Sequence, residues 1–214
     1  MFHGGQVFLL SGTWSYDEVV VDTTAETGAR HRTRRAILDA ATRVLAADPQ
    51  APLGEIAEAA DVGRTTLHRY FPERSDLIAA LGKDATERLE VALTRARLDE
   101  GPAVDALVRL CHEYLELGNL LNLIFTGVCL PEDADADATA DAALKTLTER
   151  GHADGSLDPT MTTDWIVNVL WALLYTSWEI LGRGGSRHEV TALTERTLRK
   201  AVAGPDAPAH RGES

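Results

Sequence analysis

LGEIAEAADVGRTTLHRYFPER, residues 53 to 74, is the stretch from which the rest of the chain can be read. It consists of two short helical phrases around a tight break. Leu53, Ile56, Ala57 and Ala60 recur at helical intervals and share one stripe of an amphipathic helix; Leu67, Tyr70 and Phe71 do the same for a second. Between them, Ala60-Asp61-Val62-Gly63 leaves room for a turn of only three or four residues. Two helices crossing steeply over so short a turn form a helix-turn-helix, and Ala57 suits the point where the two backbones crowd. The second helix presents Arg64, Thr65, Thr66, His68 and Arg69, donors and small hydroxyls without an acid. That is the chemistry accepted by base edges and phosphates in a major groove.

At these residues the chain resembles the TetR (tetracycline repressor-like) family of one-component transcriptional regulators. Ile56-Ala57 with Ala60-Asp61-Val62 is similar to the family's turn phrase. Arg64-Thr65-Thr66-Leu67-His68-Arg69-Tyr70-Phe71 is similar to its recognition helix, and Arg74 ahead of Leu77 to the basic residue that opens its long fourth helix. The motif resemblance spans roughly residues 33 to 81 and is architectural beyond them. It implies an all-α protein: an N-terminal three-helix helix-turn-helix DNA-binding domain joined by a long helix to a C-terminal helical ligand-binding and dimerisation domain. It also implies a homodimer on a near-palindromic stretch of double-stranded DNA and an unidentified small-molecule effector.

Three residues depart from the family pattern. Asp61 stands where the turn usually has glycine, and aspartate is among the few residues that enter the left-handed region tolerably. His68 replaces a tyrosine that contacts phosphate in the family. Pro52 and Gly54 replace a threonine and a larger residue at the start of the second helix, so little base reading is expected from that helix and most of the specificity from the next.

Composition agrees with an all-α chain. Of 214 residues 44% are hydrophobic, enough for a sizeable core, with alanine and leucine dominant and few β-branched runs. The net charge of −12 argues against a general nucleic-acid binder, but the charge is segregated. From Ala29 to Arg74 eight arginines face six acids, a balance of +2, which leaves −14 for the rest. An acidic body disfavours sliding on random DNA and leaves affinity to specific contacts with a steep salt dependence. Cys111 and Cys129 are too few for a disulfide framework and read as buried thiols in a reducing cytoplasm. No secretory signal is legible, and Trp165 to Leu181, apolar but short and holding Asn168 and Glu179, reads as a buried helix rather than a membrane span.

Taken in order, residues 1–28 are expected to form a mobile extension, with Asp17 to Val21 extended and a functional start near Val19 to Val21. Intact-mass measurement of natively expressed protein tests that start, and a mass including Met1 contradicts it. The DNA-binding domain is placed at 29–76. Arg30 to Arg35 opens its first helix, whose Ile37, Ala40, Ala41, Val44 and Leu45 keep helical spacing up to Asp48-Pro49. Two readings of the basic start are open, an arm on phosphates or in the minor groove and a solvated charge cluster. The resemblance puts Arg34 and Arg35 on phosphates. The second domain is placed at 77–203 and a disordered tail at 204–214, with the physical boundary inside a connecting helix from about Ser75 to Leu98.

The body offers two candidate surfaces. The helix from about Met161 to Gly182 is apolar nearly all round. One stripe, Val167, Leu170, Leu174, Ser177 and Leu181, has the spacing of helix-on-helix packing; with Val190, Leu193 and Thr197 of the last helix it is assigned to a dimer interface. The other, Asn168, Trp171, Tyr175 and Trp178 ending at Glu179, is assigned with Leu117, Leu121 and Phe125 to an effector pocket, ordinary core being the alternative. No catalytic, metal or cofactor site is expected. The histidines lack a nucleophile or ligand spacing, and Glu132, Asp133, Asp135 and Asp137 read as a solvated helix start.

These readings combine into a ligand-responsive repressor. Arg64 with His68 or Arg69 is expected at base edges, while Thr66, Tyr70 and Arg74 hold phosphates. Loss of Arg64 is expected to cost about 1 to 3 kcal/mol and relax specificity, and loss of Arg74 to weaken all sequences alike and flatten the salt slope. The competing reading is a degenerate helical protein that sequesters a small molecule without specific DNA binding.

Overall fold

The computed structural model describes residues 23–129 and 134–204, which carry nine α-helices and no strand. They are α1 (Thr23–Ala47), α2 (Leu53–Ala59), α3 (Arg64–Tyr70), α4 (Arg74–Arg95), α5 (Ala103–Leu115), α6 (Asn119–Phe125), α7 (Ala134–Ala153), α8 (Thr163–Gly182) and α9 (Arg187–Val202). The all-α expectation holds. None of these helices is long and apolar enough to cross a membrane. Two boundaries differ from expectation. α1 begins at Thr23, so residues 23–28 are helical rather than part of an extension. Gly204, expected in the tail, donates its N–H to the Ser156 carbonyl at 3.0 Å, while Leu157 and Ala203 pair in a bridge. The expectations for Asp17 to Val21, for Glu132 and Asp133, and for residues beyond Gly204 fall outside the described residues.

Two cores divide the molecule. Ile37, Leu38, Ala41 and Leu45 of α1 pack on Ile56, Ala57, Leu67 and Phe71 of the helix-turn-helix, and α4 adds Leu77, Leu81 and Ala85. The body core gathers Ala92 of α4 and Ala96 just after it with Leu107, Leu110 and Cys111 of α5, Leu147 of α7, Leu170 and Leu174 of α8, and Leu198 of α9. The change of core therefore falls inside α4, between Ala85 and Ala92. α4 belongs to both units because its first turns and its last bury different neighbours. A second link was not foreseen. α6 sends Leu120 and Leu123 into the head core and Leu121 into the body core, and the Asn122 side-chain amide donates to the Ala46 carbonyl at 3.0 Å.

Local chemistry explains the ends of these elements. Asp61 adopts φ 53, the left-handed turn conformation anticipated for it. The Thr162 hydroxyl accepts from the Trp165 N–H at 3.2 Å and starts α8. Both cysteines are free and buried, and burial pushes the Cys111 thiol up to about 12 and that of Cys129 up to about 11, so both stay protonated and unreactive at neutral pH.

α7 meets α5 and the following loop at Gly151. A Cβ there would lie 2.5 Å from Leu157 Cγ and 2.8 Å from Ala103 Cβ, and both neighbours are fully buried. Gly151→Ala is therefore expected to destabilise the protein by about 1 to 3 kcal/mol through overpacking. Chemical denaturation checks this: an unchanged or raised midpoint would mean that the body can open at this joint.

Candidate nucleic-acid interface and effector cavity

α3 is held by Leu67, 1% exposed, and by Phe71 just after it, 3% exposed. Because Leu67 points inward, Arg64, Thr65, His68 and Arg69 are left facing solvent, with Thr66 and Tyr70 half-buried at the edge. The polar residues expected to face DNA from α3 are thus all open to solvent in whole or in part. The Tyr70 ring has Arg30 Cζ at 6.0 Å and Arg69 Cζ at 5.8 Å from its centroid, and Arg34 Cζ lies 5.7 Å from the Phe71 centroid. These contacts bring the basic residues of α1 beside α3 and concentrate positive charge around the tyrosine. His68 Nδ1 lies 3.3 Å from the Pro72 carbonyl, which can only accept, so Nδ1 donates and Nε2 is left for an outside partner.

Two arginines do something else. Arg35 puts Nη1 2.5 Å from Asp84 and Nη2 2.7 Å from Asp39, while Arg88 reaches Asp39 at 2.8 Å and Asp84 at 2.9 Å. This closed square ties α1 to α4 and removes Arg35 from the phosphate contacts expected of it. Burial works against the Arg35 charge, but Asp84 and Asp39 outweigh it and raise its pKa. Burial likewise lifts the Asp84 carboxyl above its ordinary value, with Arg35 pulling it back.

Arg74 donates to the carbonyls of Ala51 and Pro49, both at 2.6 Å, and so pins the α1–α2 connection to the start of α4. These two bonds give Arg74 a structural role that the sequence did not indicate, and they take up one donor on each terminal nitrogen of the group expected on phosphate. Arg74→Ala is expected to lower stability by about 1 to 2 kcal/mol. The slope of DNA affinity against salt should stay at its wild-type value. A melting curve beside a salt titration checks this, and a flattened slope on an unchanged melt would restore the phosphate role.

The body holds a cavity of about 550 Å³. α4 contributes Thr86, Leu89, Glu90, Leu93 and Thr94, α5 Tyr114, α7 Thr139, Ala140, Asp141 and Leu144, and α8 Val167, Leu170 and Trp171. The Tyr114 and Trp171 rings stack at 5.6 Å and 22°, and burial pushes the Tyr114 hydroxyl up to about 12. Glu90 and Asp141 are exposed and bring two carboxylates to the lining, which contains no basic residue.

Of the expected pocket residues only Trp171 lines this cavity. Phe125 packs edge-on to Tyr175 at 5.3 Å and lies 5.8 Å from Trp178, so this aromatic group cements α6 to α8. Leu121 is buried and Leu117 packs against both cores, while Asn168 is exposed and donates to the Asp164 carbonyl at 2.7 Å. The dimer stripe is likewise corrected. Val167 and Leu170 line the cavity, and Leu174 and Val190 are buried in the chain's own core. Leu181 is half-buried, and only Leu193 and Thr197 stand exposed. Helical spacing identifies a stripe that packs on another helix; it does not say whether that helix belongs to the same chain. Among the described residues the large apolar side chains left outside are Val91 on α4, Trp165, Tyr175 and Ile180 on α8 and Leu193 on α9, between 41% and 62% exposed. The cavity residues of α4 and α7 carry no pattern that sets them apart from ordinary helix packing; Tyr114, an aromatic among the aliphatic residues of α5, was the available signal.

A helix-turn-helix head that shares a continuous helix with a cavity-bearing helical body is the build of a DNA-binding transcriptional regulator. A family model described as bacterial regulatory proteins, tetR family, matches residues 37–81. Over 177 residues the chain is 39% identical to the HTH-type transcriptional repressor LfrR of Mycolicibacterium smegmatis, spanning 83% of this chain and 94% of that protein. The crystal structure of LfrR in complex with proflavine aligns with a TM-score of 0.65 at 36% identity, over 79% of this chain and 96% of that one. A TetR regulator from Streptomyces coelicolor aligns with a TM-score of 0.53 at 25% identity, over 80% and 99%. The chain belongs to the TetR family of transcriptional regulators.

Proposed function

We propose that this regulator represses transcription as a homodimer and releases its operator when a planar aromatic cation occupies the body cavity. The observation that carries the effector class is the cavity lining, which combines the Tyr114–Trp171 stack with Glu90 and Asp141 and holds no base. Aromatic faces bind flat ring systems and attract cations, and the carboxylates compensate the charge. The relative LfrR is a repressor whose crystal structure contains proflavine, itself a planar aromatic cation.

α4 supplies the connection, because Leu89 and Leu93 wall the cavity while Leu77 and Leu81 on the same helix lie in the head core. A ligand that favours one setting of α4 changes the spacing of the two heads. A coupling of about 2.7 kcal/mol weakens operator binding about a hundredfold. The exposed apolar residues Trp165, Tyr175, Ile180 and Leu193 support dimerisation through α8 and α9. In the dimer Arg64, with Thr65, His68 and Arg69 beside it, reads base edges, and Arg34, Thr66 and Tyr70 hold phosphates.

The test is titration of the full-length protein against DNA flanking its own gene, beside random DNA and an Arg64→Ala, Tyr70→Ala double variant. Tight binding that random DNA lacks and the variant loses is the expected result. Failure on that DNA, followed by failure of selection from genomic fragments, would leave a protein that only sequesters a ligand.

A further inference from the structure

Gly54 sits in the first turn of α2, outside the left-handed region, so its backbone conformation alone does not require glycine. Glycine there weakens the helix relative to alanine. What occupies the space of the missing side chain is the Arg64 guanidinium. A Cβ on residue 54 would lie 3.2 Å from Nε, 3.2 Å from Nη2 and 3.3 Å from Cζ. Three atoms of one planar group at nearly equal distance mean that the guanidinium presents its face, not its edge, to α2. Arg64 and Gly54 border one depression with Pro52, Glu55, Glu58 and His68, and among the described residues no hydrogen bond or ion pair engages the Arg64 guanidinium. Its donors are free, and packing alone sets its plane.

We infer that Gly54 is a specificity-determining positioning residue. By withholding a side chain it lets the Arg64 guanidinium lie flat on α2, which fixes the direction in which the donors meet a base pair. The inference rests on the base-reading role proposed for Arg64 above. A bidentate contact needs two donors in the plane of the base, so a tilt of that plane removes discrimination without removing the charge. A methyl at residue 54 makes only the end of a flexible side chain give by a few tenths of an ångström; the fold has no reason to suffer, while the plane of the guanidinium is tilted from its seat.

The experiment compares full-length wild type, Gly54→Ala, Arg64→Ala and the double variant. The DNA is an operator selected from random sequence by the wild type, together with every single-base-pair variant of one half-site. Arg64→Ala is expected to abolish discrimination at one pair; discrimination retained at every pair would show that the base-reading role itself is wrong. Given that loss, Gly54→Ala is expected to reduce discrimination at the same pair by roughly five- to tenfold, and the double variant to be no worse than Arg64→Ala alone. Gly54→Ala should melt no lower than wild type. Full discrimination retained by Gly54→Ala would overturn the inference, as would a loss spread over all pairs or a lowered melting temperature, either of which marks a merely structural glycine.

Discussion

With proflavine as the probe for the planar aromatic cation proposed as effector, replacing Trp171 with alanine is expected to weaken binding by roughly 30- to 100-fold, about 2 to 3 kcal/mol. Trp171 is half-buried, stacks on Tyr114 and borders the cavity from α8, so its removal takes away one of the two aromatic faces that a flat ligand would meet. The indole also touches Phe125 edge-on at 6.0 Å, which is why a stability control belongs with the experiment. Trp171→Phe keeps an aromatic face and should recover most of the affinity. Calorimetric titration of the three proteins reads this directly. Equal affinities would move the ligand away from the Tyr114–Trp171 wall. Operator affinity of the free variants should stay near that of the wild type, because Trp171 lies in the body and touches no residue of the head core.

The second large effect concerns the square that joins α1 to α4. Arg35→Met keeps much of the side-chain volume but leaves Asp84, whose side chain is 5% exposed, with Arg88 as its remaining cation. Breaking a buried pair from one side strands the other charge. Because the Arg35 side chain is itself 38% exposed, the expected cost is cut from the fully buried range to about 2 kcal/mol at neutral pH. The pH dependence gives a sharper check. Burial already raises the Asp84 carboxyl and Arg35 opposes that rise, so losing Arg35 raises it further. A group whose folded pKa is raised keeps its stability contribution below its unfolded value and loses it as pH rises through the folded one. The deficit of Arg35→Met against wild type should therefore be full at neutral pH and shrink in acid as Asp84 takes up a proton. Denaturation midpoints of both proteins between pH 7 and the carboxylate range measure this, and a deficit that grew towards low pH would contradict it.

What was legible in the sequence follows from how local each signal is. The helix-turn-helix could be read because Ile56, Ala57, Leu67 and Phe71 bury themselves within one short segment, and Asp61 could be placed because left-handed turns select few residue types. The exposed recognition set followed from the burial of Leu67. The roles of arginines could not be read in this way. Arg34 and Arg35 are neighbours, yet only Arg35 points at Asp84, 49 positions away, and Arg74 is engaged by backbone carbonyls, which every residue carries and no sequence marks. α8 shows the same limit in apolar form. It has apolar residues on most faces, and whether Leu170 and Leu174 or Trp165 and Ile180 turn inward is decided by α5, α7 and α9 rather than by α8 itself. The cavity was misplaced for that reason, since a stripe that lines a space and a stripe that fills one have the same spacing.

The most direct test of the central claim is the thermodynamic linkage between proflavine and operator DNA, measured in both directions on the full-length protein. Proflavine intercalates into DNA, so Trp171→Ala serves as the control, and release that persists undiminished in that variant comes from the DNA rather than the cavity. The expected result is a loss of operator affinity of at least about tenfold on saturation with proflavine. An equal loss of proflavine affinity should follow on saturation with operator, because binding couplings are reciprocal, and both should be abolished or greatly reduced in Trp171→Ala. Proflavine that binds the cavity while operator affinity stays unchanged, or release identical in wild type and variant, would contradict the claim that this cavity controls the grip of the helix-turn-helix on DNA.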